Sequence, residues 1–268
     1  MKDHLLEILE KEKRESNKLN VMREYLQSYI LKILQENNFF NNAAFLGGTA
    51  LRFVYDLPRY SEYLDFSSTK KSFDRLDDNV KILKRELSLA GYDVSFSSDF
   101  SKTVQYSFVK FKGLKYESGL SPHNEEKMSI KLDLDTNPPS GAVVERNIKN
   151  KYFLLSFNTY DLSSLFSGKI HALLFRKYTK GRDWYDLLWY LTNDEKPRPN
   201  LVLLNNAVKQ TDRNHKQLTE KNWKEVLKKR IKKCDFKKAR NEVSKFLKRP
   251  EEAEFLTEKN FSKLLDEY

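Results

Sequence analysis

The sequence predicts an α+β protein in which a mixed sheet is followed by a helical C-terminal half. Three observations carry that prediction. Apolar residues recur at spacings of three and four through the first forty residues, the spacing changes to two between Gly91 and Phe157, and from Asp161 onward it is helical again. A chain of 268 residues has room for two modest domains, here expected over 1–160 and 161–268 with the boundary near Asn158–Leu162.

Each element follows from its local pattern. Val21, Tyr25, Leu26, Tyr29, Ile30, Ile33 and Leu34 make one apolar stripe, so the first forty residues read as helix. Phe45-Leu46 leads into a Gly47-Gly48-Thr49 turn and a short helical stretch ending at Pro58. Leu64-Asp65-Phe66 is a strand core bounded by serines. Leu76, Val80, Leu83 and Leu87 mark an amphipathic helix that stops at Gly91. Val104, Tyr106, Phe108 and Lys110 alternate with Gln105, Ser107 and Val109. Met128, Ile130, Leu132 and Leu134 alternate likewise with Ser129, Lys131, Asp133 and Asp135. The Asn137-Pro138-Pro139-Ser140-Gly141 run ends the second of these strands, and a third is expected from Tyr152 to Phe157. Breaks in the helical half fall near Thr179–Gly181, Lys196–Pro199 and Arg249–Pro250, and no internal repeat is visible.

Composition excludes several classes. Hydrophobic residues at 39% and aromatics at 13% supply a core and rule out wholesale disorder. Only 8 glycines and 7 prolines exclude collagen-like and low-complexity designs. A single cysteine, Cys234, excludes an intramolecular disulfide and a cysteine-based zinc site and fits a reducing compartment. No run of about 18 apolar residues could span a membrane, and Met1–Glu7 lacks the apolar stretch of a secretory signal, so a cytoplasmic, soluble protein is expected.

The net charge of +11 is concentrated. Residues 209–249 hold 16 Lys/Arg against 5 Asp/Glu, whereas the rest of the chain carries 33 of each sign. Such a stretch points to a nucleic-acid or other polyanion surface, with a solvated helical face as the alternative. Lys224, Lys228 and Lys232 stand four apart, with Lys221 one turn earlier; Trp223 could stack on a base or lie in the core.

Three clusters could carry chemistry. In Leu46-Gly47-Gly48-Thr49-Ala50-Leu51-Arg52, glycines between strand and helix would let the backbone approach a phosphate, with the Thr49 hydroxyl as donor; a plain turn is the alternative. Asp65, flanked by Leu64 and Phe66, needs a partner or a metal if buried. On the strand Lys131-Leu132-Asp133-Leu134-Asp135, the lysine and both aspartates share one face, able to hold a divalent cation and a triphosphate or to form a salt-bridge ladder. In the helical half, Lys169 and Arg176 share a helix face, as do Asp183 and Asp186; His171 is read as a helix-packing residue.

Together these clusters resemble the AbiEii/AbiGii-type nucleotidyltransferases, the toxin components of bacterial type IV toxin–antitoxin and abortive-infection systems. The likeness runs from Gly47-Gly48-Thr49-Ala50-Leu51-Arg52 and Leu57-Pro58-Arg59-Tyr60-Ser61, through Lys131-Leu132-Asp133, to Ser167-Gly168-Lys169 and Gly181-Arg182-Asp183 with Tyr185-Asp186-Leu187. It implies a polymerase-β-like nucleotidyltransferase core that uses Mg2+ or Mn2+ and an NTP. It further implies an RNA (tRNA among the possibilities) or protein acceptor, reached through 209–249 in the RNA case, and a cognate antitoxin. By the same resemblance Gly48 and Thr49 would contact phosphates, and Asp65 and Asp133 would ligate metal with Asp135 as a further candidate. Lys169 would neutralise the triphosphate, and Asp183 or Asp186 would orient it or the substrate. The motif positions Gly47, Arg59, Ser61, Lys131 and Arg182 join them as candidate nucleotide contacts.

One position departs from the family pattern. Ser61-Glu62-Tyr63-Leu64-Asp65 has tyrosine where the family's Ser-x-Asp-Leu-Asp has its first metal-ligand aspartate. A phenol is a poor magnesium ligand at neutral pH, and Glu62 as a strand neighbour would face the other way. Asp133 and Asp135 could compensate, one metal could suffice, or the protein could bind nucleotide or RNA without turnover.

Overall fold

The computed structural model describes residues 1–70, 73 and 76–268. Two units emerge from it. The first comprises Met1–Val54, Tyr60–Pro138 and Arg146–Thr159; the second comprises Tyr55–Arg59, Pro139–Glu145 and Tyr160–Tyr268.

In the first unit the opening residues expected as helix form two, α1 (Lys2–Lys11) and α2 (Glu15–Glu36), and the whole apolar stripe lies on α2. Glu12 is extended at the end of α1 and its carboxylate accepts the Arg14 amide, which turns the chain before α2 begins. Next come β1 (Ala43–Leu46), α3 (Gly47–Val54), β2 (Tyr63–Ser68), α4 (Asp77–Leu89), β3 (Val94–Asp99), β4 (Val104–Phe111), α5 (Leu114–Glu117), β5 (Met128–Asp135), β6 (Val144–Asn150) and β7 (Leu154–Tyr160). The strands form one seven-stranded sheet in the order β3-β4-β5-β2-β1-β7-β6. β2 pairs parallel with β5 and β1 parallel with β7, while β1–β2, β3–β4 and β4–β5 are antiparallel. The mixed sheet and the α+β class are therefore as predicted.

One face of the sheet builds the core. Phe45 and Phe66 are cross-strand partners, and their rings lie 5.5 Å apart. Phe157 meets Phe45 at 5.6 Å, and Phe39 meets Phe66 edge-on at 4.9 Å. Leu64, Leu132 and Leu134 continue this face, and Leu26, Ile30 and Ile33 of α2 are buried in the same unit. Each such side chain contributes about 1.5–3 kcal/mol by leaving water. On β5, buried Met128, Ile130, Leu132 and Leu134 alternate with more exposed Ser129, Lys131, Asp133 and Asp135, which fixes the polar residues on the opposite face.

The second unit contains α6 (Leu162–Phe175), α7 (Gly181–Leu191), α8 (Leu201–Thr211), α9 (Trp223–Ile231), α10 (Phe236–Val243) and α11 (Glu258–Glu267). Asp161, Asn200, Asp235 and Thr257 each accept the amide of the third residue of the following helix, so four of these starts are capped by their own sequence. Phe166 stacks on Tyr190 at 4.2 Å, and Trp184 contacts Phe236 and Phe261. Among the described residues, no helix is long and apolar enough to cross a membrane.

Candidate functional site

The β2–β5 ladder places Tyr63 opposite Lys131, Asp65 opposite Asp133 and Ser67 opposite Asp135. Neighbouring strands run about 5 Å apart, so the Asp65 and Asp133 carboxylates stand side by side on the face away from the phenylalanine core. β4 adds residues that the alternation alone did not mark out. Tyr106 lies opposite Asp133 and Phe108 opposite Lys131, while Gln105, Ser107, Val109 and Phe111 take the buried face. Lys131 Nζ lies 2.7 Å from Asp133 Oδ1, with the Tyr106 ring centre at 5.1 Å and that of Phe108 at 5.8 Å. An ammonium is thus held between a carboxylate and two aromatic faces. The signal for Tyr106 and Phe108 was strand register, which a single sequence does not reveal.

Gly47 has two reasons to be glycine. Its φ is +77°, and a Cβ there would collide with the Asp65 carboxylate. The backbone entering α3 therefore runs directly against Asp65. Thr49 is fully buried and its hydroxyl donates to the Tyr63 carbonyl, pinning α3 to the start of β2; Gly48 between them is half-buried. The Ser61 carbonyl accepts from Gln27 Nε2 at 3.1 Å. Glu62 lies just before β2 and its carboxylate is 3.9 Å from Arg23 on α2.

The donor set here fits one divalent cation. Magnesium is commonly held by one or two carboxylates and completes its shell with water and phosphate oxygens, and Asp65 with Asp133 supply that pair. Asp135 stands two residues farther along β5 and its Oδ1 accepts the Asn137 amide; burial pushes its carboxyl above the ordinary range. No three His, Cys, Asp or Glu side chains converge as a metal-binding group among the described residues.

The helical unit holds a second constellation. Arg59 is fully buried and grips Asp186 with both ends of its fork, Nε at 2.5 Å and Nη2 at 2.7 Å. Asp183 and Asp186, one turn apart on α7, both receive Lys169 of α6, each at 2.7 Å. Arg176 Nε lies 3.3 Å from the other oxygen of Asp183. Burial alone would raise the carboxyls of Asp183 and Asp186. Lys169, Arg176 and Lys180 overcome this at Asp183 and hold it down at about 2, and Arg59 with Lys169 lower Asp186. Arg182 turns instead to α10, where its Nε meets Glu242 at 3.1 Å and its guanidinium lies 4.2 Å over the Phe246 ring. His171 packs as expected: its Nε2 is 2.8 Å from the Thr211 hydroxyl and its ring is 5.0 Å from Phe175.

Residues 209–249 are spread over the end of α8, a loop, α9 and α10. Trp223 is buried edge-on to Phe166 and Tyr268, which decides for the core and against base stacking. Lys228 lies between Glu225 at 2.8 Å and Asp266 at 2.7 Å. Arg230 donates to the Leu173 and Arg176 carbonyls at the end of α6. Lys221, Lys229, Lys232, Lys233, Lys237 and Lys238 remain exposed.

A mixed sheet with paired carboxylates and a glycine turn, followed by helices carrying buried cations, is a nucleotidyltransferase architecture. A crystal structure of a candidate nucleotidyltransferase from H. pylori has the same fold, with a TM-score of 0.52 and 17% identity over 90% of this chain and 95% of that one. JHP933 from Helicobacter pylori aligns over 92% of each chain at 19% identity and a TM-score of 0.48. No curated protein matches the sequence. The family model for the nucleotidyl transferase AbiEii toxin of type IV toxin–antitoxin systems matches residues 29–267, and the chain belongs to that family.

Proposed function

We propose that this protein transfers a nucleoside monophosphate from an NTP to an RNA or protein acceptor and releases pyrophosphate. The observation that supports this reading best is the Asp65–Asp133 pair, opposed in one parallel ladder beside the backbone of Gly47. A divalent cation, Mg2+ or Mn2+, held by these two carboxylates would neutralise charge on the phosphate oxygens. The acceptor hydroxyl oxygen bonds to the α-phosphorus and gives up its proton to solvent, while the bond from that phosphorus to the α,β-bridging oxygen breaks and the oxygen leaves with pyrophosphate. On the helical unit, Lys169 is kept protonated by Asp183 and Asp186 against the effect of burial. Exposed lysines of 209–249 bind the phosphates of an RNA acceptor. Membership of a toxin family further supports a cognate antitoxin as partner. A cytoplasmic site of action, where NTPs and RNA are present, is part of the same reading.

Purified protein incubated with labelled NTPs, Mg2+ and total RNA is expected to label an acceptor, and Asp65→Ala to reduce labelling at least about a hundredfold. Undiminished labelling in that variant overturns the assignment. A second reading, binding without turnover, is favoured by Tyr63, which stands on the same face as Asp65 and Asp133 in place of a ligand. Under it, Tyr63→Asp creates or greatly raises transfer; equal rates before and after count against it.

A further inference from the structure

β6 is the last strand of the sheet, so one of its edges offers backbone donors and acceptors to the surroundings. From the make-up of that edge we infer that it is an interface between two copies of this chain. The two β6 strands pair antiparallel about Ile148, and two sheets continue into one. Such assembly is independent of the nucleotidyl-transfer reading.

The two ends of the sheet differ. On β3 the fully exposed positions are Ser97 and Ser98. β6 and β7 instead leave Ile148 and Leu154 each 66% exposed. These two share a face. Leu155, Phe157 and Thr159 of β7 are buried toward the core, which turns Leu154, Ser156 and Asn158 the other way. Arg146 of β6 donates to the Ser156 hydroxyl at 2.9 Å, so Arg146, Ile148 and Asn150 lie on that second face. Asn147 lies on the first, where its Nδ2 donates to the Thr159 hydroxyl at 2.8 Å. A two-fold axis through Ile148 sets Leu154 and Ile148 beside the same two residues of the second copy in one apolar band. Exposed aliphatic side chains together on an edge strand are what native sheets avoid unless another strand covers them.

The sequence of the edge is complementary to itself. In Arg146-Asn147-Ile148-Lys149-Asn150, antiparallel pairing about Ile148 puts Arg146 opposite Asn150, Asn147 opposite Lys149 and Ile148 opposite Ile148. Each cation then meets an amide, and no like charges are directly opposed. Sliding the register by one residue either way brings Arg146 opposite Lys149 or Lys151, and an in-register parallel pairing sets each cation against itself. The contact uses the same patch on both copies, so it closes at a dimer.

A short edge buries less than a permanent interface, about 1,200 Å² or under, so a dissociation constant on the order of 10 µM is expected. Sedimentation equilibrium on the full chain, from about 1 to 200 µM, should show exchange between 31.8 kDa and twice that mass. Ile148→Lys sets two ammonium groups face to face and should weaken association at least about tenfold, with the melting temperature unchanged because the side chain is exposed. Ile148→Val should associate as wild type. In a Cys234→Ser background, Ile148→Cys should give a covalent dimer on mild oxidation. Asn150→Cys should not, because its two copies would lie about 14 Å apart. A chain that stays monomeric at about 200 µM overturns the inference and leaves the edge to a strand from a different protein. So does a dimer indifferent to Ile148→Lys, or one in which Ile148→Cys forms no cross-link.

Discussion

Asp65 and Asp186 were both drawn from the sequence as catalytic candidates, and their surroundings now separate them. Asp186 is 0% exposed and bound by Arg59 and Lys169, so Asp186→Asn strands two buried cations and is expected to cost about 3–5 kcal/mol in urea unfolding. Asp65 is half-buried, and Asp65→Asn should remove transfer while changing stability less than Asp186→Asn does. A loss of activity in the first variant is therefore ambiguous; in the second it is diagnostic. Depth was not legible beforehand because spacing shows which face a residue takes, not how far it is covered. Thr49 and Arg59 show the same limit, since their partners, Tyr63 and Asp186, are 14 and 127 residues away in the chain. Asp183 gives a pH test. Its carboxyl sits at about 2 when folded, against about 3.9 unfolded. The ionised form therefore stabilises fully above pH 4, and that contribution is lost as pH falls toward 2. Melting temperatures between pH 5 and 2 should drop less steeply for Asp183→Asn than for wild type.

At the scale of elements, strands with a buried face were readable and edge strands were not. β5 runs from Met128 to Asp135 as its alternation foretold, because one side of it enters the core. β3 and β6 close the two ends of the sheet, and the Val144–Asn150 segment is mostly exposed, so no apolar alternation announced it. The lysine-rich stretch was visible as charge but not as shape. Lys228 is engaged with two carboxylates, which makes Lys229, Lys232 and Lys233 the better probes of a polyanion surface. Reversing all three should weaken RNA binding and lower its salt dependence by about 3 phosphate contacts, with little change in melting temperature. Unchanged affinity in a filter-binding assay would reduce the stretch to a solvated face.

For the whole molecule, the order of motifs was enough to place the chain in its family, while the partition of the chain into units was not to be read from it. The helical unit contains Tyr55–Arg59 and Pro139–Glu145 as well as everything from Tyr160 on. Arg59 reaches it through the shorter of those segments, and its guanidinium neutralises Asp186 at the centre of that unit. Arg59 leaves the ribosome 127 residues ahead of Asp186, so it stays without this counter-ion until most of the helical unit's first two helices have been made. The helical unit cannot be inherited as a cassette that starts at residue 160. A recombination joint at residue 160 would part the carboxylate from its counter-ion, and lineages that shuffle this architecture must exchange it nearly whole or evolve a new partner for Asp186.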